Sequence, residues 1–186
     1  MKVKIRRSCN DDLENIYNLH IKCFSMSDHW YRSHIKNFLN NGIVIESNNN
    51  IIGVCLQGTI TPCNRMVHGS LFSDLNTNDM NDKFEPTNDT GKDFLEDEIH
   101  YKDLHGIVMI CVDPSYRGKG LAKKLIEKHL IDNKDKMVCL NTRRSNISAY
   151  SLYKKMGYIQ VAFIKNKYFQ PTEDSIFMVY NPIAKK

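Results

Sequence analysis

The chain has 186 residues, of which 41% are hydrophobic and 25% charged, and its formal net charge is +5. The length fits one domain with a sizeable core, and the modest, scattered charge argues against a nucleic-acid-binding protein; a small anionic ligand suits it equally well. No C-x-x-C pair, metal-ligand spacing, signal core or membrane-length apolar run occurs. We therefore expect a cytoplasmic enzyme or binding module with free thiols, no metal, and neither nucleic acid nor membrane as a partner.

The N-terminal half predicts a strand, two helices and a hairpin. The strand is KVKIRRS, the first helix LENIYNLHIKCF, and the second helix SDHWYRSHIKNFL, capped at Ser27 or Asp28. The segments GIVIES and IIGVCLQGTI, joined by asparagines, have the pattern of a hairpin. Residues 73–93 are rich in Asn, Asp, Thr, Gly and Pro and lack apolar periodicity, which predicts a flexible insertion, either a plain loop or a lid.

The C-terminal half alternates buried strands with amphipathic helices. LHGIVMICVDP and DKMVCLNT read as buried strands, GLAKKLIEKHLI as a helix, and SNISAYSLYKKMGY as a capped helix that ends at Gly157. YIQVAFIKNKYF and DSIFMVYNPI read as a final pair of strands. This order predicts a single mixed α/β domain over residues 1–186, with helices covering a sheet.

The stretch VDPSYRGKGLA joins an apolar strand to a helix through two glycines. Glycine allows a sharp turn and a close approach of ligand to backbone, and the first turn of a helix offers free N–H groups and a positive dipole end. These features suit a pyrophosphate, although the loop lacks both the nucleoside-triphosphate P-loop pattern and G-x-G-x-x-G. Taken alone, the stretch is equally compatible with an ordinary tight turn.

A second motif, NTRRSNISAYSLYKKMGY, follows the glycine loop. Together the two resemble the GNAT superfamily of acetyl-CoA-dependent N-acetyltransferases, over about residues 105–180. Arg117, Gly120 and Ala122 fill its pyrophosphate pattern, and the later pattern is filled by Asn146, Ala149, Leu152, Tyr153, Gly157 and Tyr158. The resemblance implies an α/β GNAT fold, in which helices flank a central mixed, mostly antiparallel twisted sheet.

The resemblance also implies acetyl-CoA as co-substrate and assigns residues to it. The implied acetyl-CoA-binding residues are Ile110, Cys111, Val112, Arg117, Gly118, Lys119, Gly120, Leu121, Ala122, Lys123, Asn141, Asn146 and Tyr153. Tyr153 would protonate the leaving thiolate, a role that suits a phenol with a pKa of about 10. The alternative for Tyr153 is a tyrosine that only packs in the core.

Two flanking segments, CFSMSDHWYR and NKYFQPTEDSIFMVY, resemble the N-terminal protein acetyltransferases of this superfamily. The resemblance makes Phe24, Ser25, Tyr31 and Tyr168 substrate-binding residues and places Ser175 where the family has alanine. The chain therefore resembles enzymes that acetylate the α-amino group of a peptide. The open alternatives are an enzyme for a small amine, such as glucosamine 6-phosphate or a polyamine, and a module that binds acetyl-CoA without turnover.

The positions of the usual catalytic bases depart from the family pattern. Asn141 stands in place of a histidine and Gly106 in place of a tyrosine, so His105 could act as the base only after a shift of one residue. An α-amino group with a pKa of about 8 is roughly one-tenth neutral at pH 7, whereas lysine is less than about 0.1% neutral. The loss of a strong base therefore favours an acceptor of low pKa.

Overall fold

The protein is described by a computed structural model over residues 2–60, 66–67, 70–71, 84–86 and 104–182. The chain divides into two compact units, Met1–Gly58 with Ile107–Lys134 and Thr59–Gly106 with Asp135–Lys186. Most of the insertion expected over residues 73–93 lies outside the described residues. In chain order the helices and strands are β1 (Lys4–Arg7), α1 (Leu13–Cys23), α2 (Arg32–Lys36), β2 (Ile43–Ser47), β3 (Asn50–Ile60), β4 (Met66–Val67), β5 (Ser70–Leu71), β6 (Phe84–Pro86), β7 (Leu104–Val112), α3 (Leu121–Asp132), β8 (Val138–Arg143), α4 (Ile147–Lys155), β9 (Ile159–Tyr168) and β10 (Glu173–Tyr180).

The first unit packs helices on strands in the order β1, β2, β3, β7. β2 and β3 form the predicted antiparallel hairpin, and its turn places Asn48 and Asn49 at positive φ, a conformation that asparagine tolerates. The core of this unit is aliphatic and fully buried, as at Ile16, Ile43 and Leu125. The predicted first strand, first helix and glycine-loop helix are all present.

The predicted second helix is wrong in its N-terminal half. A short 3-10 helix occupies Met26–Asp28, and α2 begins only at Arg32. The hydroxyl of Ser25 donates to the Asp28 carboxylate at 3.1 Å, and the backbone N–H of Trp30 donates to Nε2 of His20 at 2.7 Å. These side-chain bonds compete with helical hydrogen bonds and hold the segment in an irregular form.

The second unit contains strands in the order β8, β10, β9, β6. β10 pairs antiparallel with both β8 and β9, and β6 pairs antiparallel with β9. Alternate residues of β10 would reach solvent if one face were open, yet Ile176 through Val179 are all buried, so both faces of this strand are covered. The predicted final strand pair is confirmed.

These elements confirm the predicted fold class: a mixed α/β fold with an open, mostly antiparallel sheet flanked by helices. Among the described residues, no helix combines the length and the apolar character that a membrane crossing needs.

The buried His20 makes the stability of the protein sensitive to acid. His20 is 1% exposed, and burial, followed by the charge of His29, lowers its pKa to about 4. The unfolded chain, with a histidine pKa near 6.5, therefore binds more protons between pH 6.5 and 4, and stability falls as pH falls through that window. We expect His20 to lower the free energy of unfolding by up to ~3 kcal/mol across this pH range.

The check is urea unfolding from pH 7 to 4 for the wild type and His20→Gln. Glutamine keeps an acceptor for the Trp30 N–H but does not titrate, so the variant should lose a smaller share of its stability across this range. Equal losses in the two proteins would contradict the assignment.

Candidate active site

The glycine loop begins at a tightly held strand end. The N–H of Asp113 donates to the Ile52 carbonyl at 2.9 Å, which holds the end of β7 against β3. The Asp113 carboxylate accepts from the Ser115 N–H at 2.9 Å and pairs with Lys22 at 2.7 Å. It thereby caps the 3-10 helix Pro114–Tyr116. The loop is therefore anchored before the glycines are reached.

The two loop glycines leave an open concave backbone. Gly118 and Gly120 have φ of +74° and +73°, and no described heavy atom lies within 4 Å of the position that a Cβ would take at either residue. Gly120 precedes the first residue of α3, so the cradle opens onto the N–H groups of Leu121 to Lys123. The free space and the helix N-terminus together fit a diphosphate.

Arg117 and the end of β7 supply the other predicted coenzyme contacts. The exposed Arg117 donates through Nε to the Val112 carbonyl at 3.2 Å, which turns its guanidinium back along the strand end. Cys111 and Val112 are buried, and Ile110 is partly buried. Lys119 lies over the ring of Tyr116 at 5.0 Å. The structure thus brings the predicted residues of β7 and the loop into one continuous segment of the first unit.

The later motif forms α4 in the second unit. Oδ1 of Asn146 accepts from the Ala149 N–H at 3.2 Å, so this residue is the N-cap of the helix. Tyr153 is 5% exposed and packs edge-on against Tyr158, with the ring centroids 5.8 Å apart. Its position on a capped, packed helix gives the phenol a fixed direction, whereas its proton-donor role stays a prediction.

Two of the residues that depart from the family pattern, Asn141 and Ser175, contact each other. The Ser175 hydroxyl is fully buried and lies 3.1 Å from Oδ1 of Asn141 and 3.4 Å from the Thr142 carbonyl. A bond to Oδ1 restricts the orientation of the Asn141 amide, which has two N–H donors and no basic nitrogen. Asn141 can therefore donate to a ligand, but it cannot act as the base that the family pattern has at this position.

Gly106 is required by the close approach of backbone. A Cβ at Gly106 would lie 2.2 Å from the Cys139 carbonyl oxygen and 2.8 Å from Cδ1 of Ile60. The tyrosine of the family pattern therefore has no room here. Successive residues of a strand face opposite sides, so His105 does not take the direction of Gly106. A role for His105 as base stays a prediction.

A network of charges fixes the β9–β10 hairpin, which carries Tyr168. The Arg143 guanidinium stacks on the Tyr168 ring at 4.3 Å and donates to Glu173 at 3.3 Å. Glu173 also accepts from the Ser145 N–H and, at 3.1 Å, from the Ser145 hydroxyl. Burial favours the neutral acid, but the Ser145 hydrogen bonds and Arg143 outweigh it and lower the pKa of Glu173. Tyr168 is thus held by a charged group that is itself anchored.

Lys167 is a candidate functional residue that the sequence analysis does not include. Burial lowers its pKa to about 8, with a small opposing effect from Cys139, so a substantial fraction of this amine is uncharged near pH 8. The available signal was its place in NKYF, where the family tail has a tyrosine.

The predicted acceptor segment of the first unit contains both packed and exposed side chains. Phe24 packs on His20 with ring centroids 4.7 Å apart, and Ser25 is exposed beside Asp28. Tyr31 is 67% exposed. Phe24 is therefore a neighbour of the buried His20, whereas Ser25 bonds Asp28 at the surface and Tyr31 projects into solvent. No metal-binding cluster of three histidine, cysteine or acidic side chains occurs in the described part of the chain.

Comparison with known proteins identifies a family model and relatives that each match part of the chain. Residues 89–160 match the family model of the acetyltransferase (GNAT) domain. The [ribosomal protein bS18]-alanine N-acetyltransferase of Escherichia coli K12 is 40% identical over 76 residues, which are 37% of this chain and 50% of that protein. N-alpha-acetyltransferase 30 of Saccharomyces cerevisiae is 34% identical over 88 residues, which are 45% and 48% of the two chains.

Solved structures match the fold over nearly the whole chain. The E. coli ribosomal-protein-S18-alanine N-acetyltransferase has a TM-score of 0.66 at 18% identity, covering 96% of this chain and 93% of that one. Arabidopsis thaliana NAA60 in complex with acetyl-CoA has a TM-score of 0.68 at 18% identity, covering 96% and 99%. In sequence, the chain spans about half the length of the curated relatives it matches.

The two glycine sites predict opposite responses to an added methyl group. Gly106→Ala forces a backbone shift at the Cys139 carbonyl and should destabilise by about 3 kcal/mol. Gly120→Ala meets no neighbour and should cost only the positive-φ penalty of about 1 kcal/mol. Urea unfolding of both variants beside the wild type checks this. An equal or reversed order of stability would contradict the described geometry.

Proposed function

Because the chain carries a GNAT acetyltransferase domain, we propose that it is an acetyl-CoA-dependent N-acetyltransferase that acts on the α-amino group of protein N-termini. The observation that carries the proposal is the open cradle at Gly118 and Gly120, in the loop whose residues fill the family's pyrophosphate pattern. A Cβ at either position would meet no atom, and a diphosphate needs such open space beside the N–H groups of the loop.

The loop would hold acetyl-CoA by its diphosphate. The N–H groups of the loop and of the first turn of α3 donate to the phosphate oxygens, and the α3 dipole adds favourable charge. Arg117, already directed along the strand end, adds a charge-assisted contact. The backbone of β7 from Ile110 to Val112 pairs with the pantetheine arm, as the family resemblance implies.

The reaction would be direct transfer from the thioester to a neutral amine. Attack of the amine on the carbonyl breaks the carbon–sulfur bond, and Tyr153 gives its proton to the departing thiolate. Backbone N–H groups and the Asn141 amide are the donors for the carbonyl oxygen as it gains negative charge. Asn141 suits this role because its amide has two N–H donors and the bond from Ser175 restricts its orientation.

The acceptor is inferred from three observations. The similar proteins are named [ribosomal protein bS18]-alanine N-acetyltransferase, in E. coli, and N-alpha-acetyltransferase 30, in yeast. Tyr168, on which Arg143 stacks, lies in the tail segment that resembles the N-terminal protein acetyltransferases. Position 141 is not a histidine, and an acceptor that is already partly neutral does not need a strong base there.

The direct test is turnover of acetyl-CoA with a panel of acceptors: peptides with free N-termini, the same peptides blocked at the N-terminus, glucosamine 6-phosphate and spermidine. Release of free CoA should be fast only with the unblocked peptides. Turnover with the sugar phosphate or the polyamine alone would overturn the acceptor. Binding of acetyl-CoA with no turnover on any acceptor would establish a non-catalytic module.

Tyr153→Phe isolates the proton donor. The substitution removes one hydroxyl and keeps the ring packing against Tyr158, so kcat should fall about 10–100-fold while acetyl-CoA affinity stays near the wild-type value. The matched control is Tyr150→Phe. Tyr150 lies on the same helix as Tyr153, and the substitution removes a hydroxyl that bonds Gln160 at 3.1 Å. The assignment fails if Tyr153→Phe retains full kcat or if both variants lose activity equally.

A further inference from the structure

One buried histidine of α1 holds both ends of residues 24–30, the segment that joins α1 to α2. At the start of the segment, the Phe24 N–H donates to the His20 carbonyl at 3.0 Å, and the two rings lie 4.7 Å apart. At its end, the Trp30 N–H donates to Nε2 of His20 at 2.7 Å. His20 is 1% exposed. The segment is thus fastened at both ends to one buried residue that precedes it in the chain.

The bond from Trp30 fixes the tautomer of His20. A backbone N–H donates to a lone pair, so Nε2 carries no proton and the neutral ring carries its proton on Nδ1. The pKa of His20, which burial and then the charge of His29 lower to about 4, keeps the ring neutral near pH 7. His20 therefore serves as a hydrogen-bond acceptor, a role that glutamine can take over and leucine cannot.

Further contacts hold the segment in a compact form. Nε2 of His29 donates to the Phe24 carbonyl at 3.0 Å, and the His29 ring stands edge-on to the His20 ring at 5.6 Å. Trp30 is buried, and its ring lies 5.8 Å from that of Phe38. The course of the backbone from Phe24 to Trp30 therefore depends on His20 and on the rings packed around it.

Tyr31, the next residue, combines a fixed backbone with an exposed ring. Its carbonyl accepts from the N–H groups of His34 and Ile35 at 3.0 and 3.3 Å, at the start of α2. Tyr31 is 67% exposed, and Met26 within the segment is 89% exposed. Exposed apolar side chains on a backbone that is already ordered offer a ligand contact area at a low entropic cost.

We propose that His20 is a positioning residue for the acceptor peptide. By fastening residues 24–30, it sets the directions of Phe24 and Tyr31, which contact the N-terminal residues of the peptide; His20 acts through them and takes no part in the transfer. The inference rests on the proposed function, because it takes a peptide as the acceptor. His20 lies outside both motifs and outside the two flanking segments that resemble the family.

His20→Leu removes the acceptor of the Trp30 N–H and leaves an apolar side chain in its place. A segment that has lost its fixed form must be ordered when the peptide binds, so KM for an unblocked peptide should rise about 10-fold. The kcat and the affinity for acetyl-CoA should stay near the wild-type values, because Tyr153 and the glycine loop are unchanged. His20→Gln, which keeps an acceptor, should restore KM to near the wild-type value.

The matched control is His129→Leu, the same substitution at a fully buried histidine of α3, whose Nδ1 lies 3.4 Å from the Asn133 amide nitrogen. It should lower the free energy of unfolding without raising KM for the peptide. Urea unfolding of every variant, measured beside its kinetics, separates a general loss of stability from a loss of acceptor binding.

A second measurement needs no turnover. Trp30 is the single tryptophan of the chain, so its fluorescence reports on the end of the segment. Quenching by acrylamide should be several-fold stronger in His20→Leu than in the wild type, His20→Gln or His129→Leu. In the wild type, an unblocked peptide added with CoA at a concentration well above KM should change the emission of Trp30.

The inference is overturned if a folded His20→Leu keeps the wild-type KM or the wild-type quenching, if it loses kcat in place of a rise in KM, if His20→Gln does not restore KM, or if His129→Leu raises KM equally. If His20→Leu does not fold, the wild-type titration decides, and unchanged Trp30 emission overturns the inference. A wild type that turns over no unblocked peptide overturns the proposed function, and the quenching series then still decides whether His20 holds the segment.

Discussion

The carbonyl of Val112 is the point at which two side chains hold the start of the glycine loop. It is the last carbonyl of β7 and lies 3.2 Å from Nε of Arg117 and 3.4 Å from Sγ of Cys23. The next residue, Asp113, is tied to Ile52 through its N–H and to Lys22 through its carboxylate. The end of the strand is therefore held by these contacts. The backbone is anchored before it reaches Gly118 and Gly120, the two glycines with positive φ.

In the second unit, a hydrogen bond restricts the side chain of Asn141. Ser175 donates to the oxygen of Asn141 and restricts the orientation of this amide, which has N–H donors but no basic nitrogen. A donor stabilises developing negative charge, but it cannot remove a proton from an ammonium group. The proposed acceptor, a peptide α-amino group, is already partly neutral near pH 7, whereas a lysine side chain is not. The lack of a base at position 141 is therefore consistent with the proposed acceptor.

Much of the fold could be predicted from local pattern. The hairpin of β2 and β3, the helix after the glycine loop and the final strand pair follow from apolar spacing and turn residues. The prediction of the second helix was wrong in its N-terminal half, because Ser25, Asp28 and His20 form hydrogen bonds that the spacing of apolar residues does not reveal.

The site shows the same limit. Its motif residues could be found from type and order along the chain, as with Gly120 and Tyr153. The contact between Asn141 and Ser175 joins residues 34 positions apart, and such a pair emerges only from the fold. Gly106 departs from the family pattern already in the sequence. The reason that a glycine is needed there is the close Cys139 carbonyl, which is also distant in sequence.

The central claim is that the enzyme acetylates an α-nitrogen. The most direct measurement is tandem mass spectrometry of a peptide that offers both a free N-terminus and an internal lysine, after reaction with acetyl-CoA and the protein. We expect the acetyl group on the N-terminal nitrogen, with the lysine unmodified. Acetylation of the lysine while the N-terminus stays free would contradict the account.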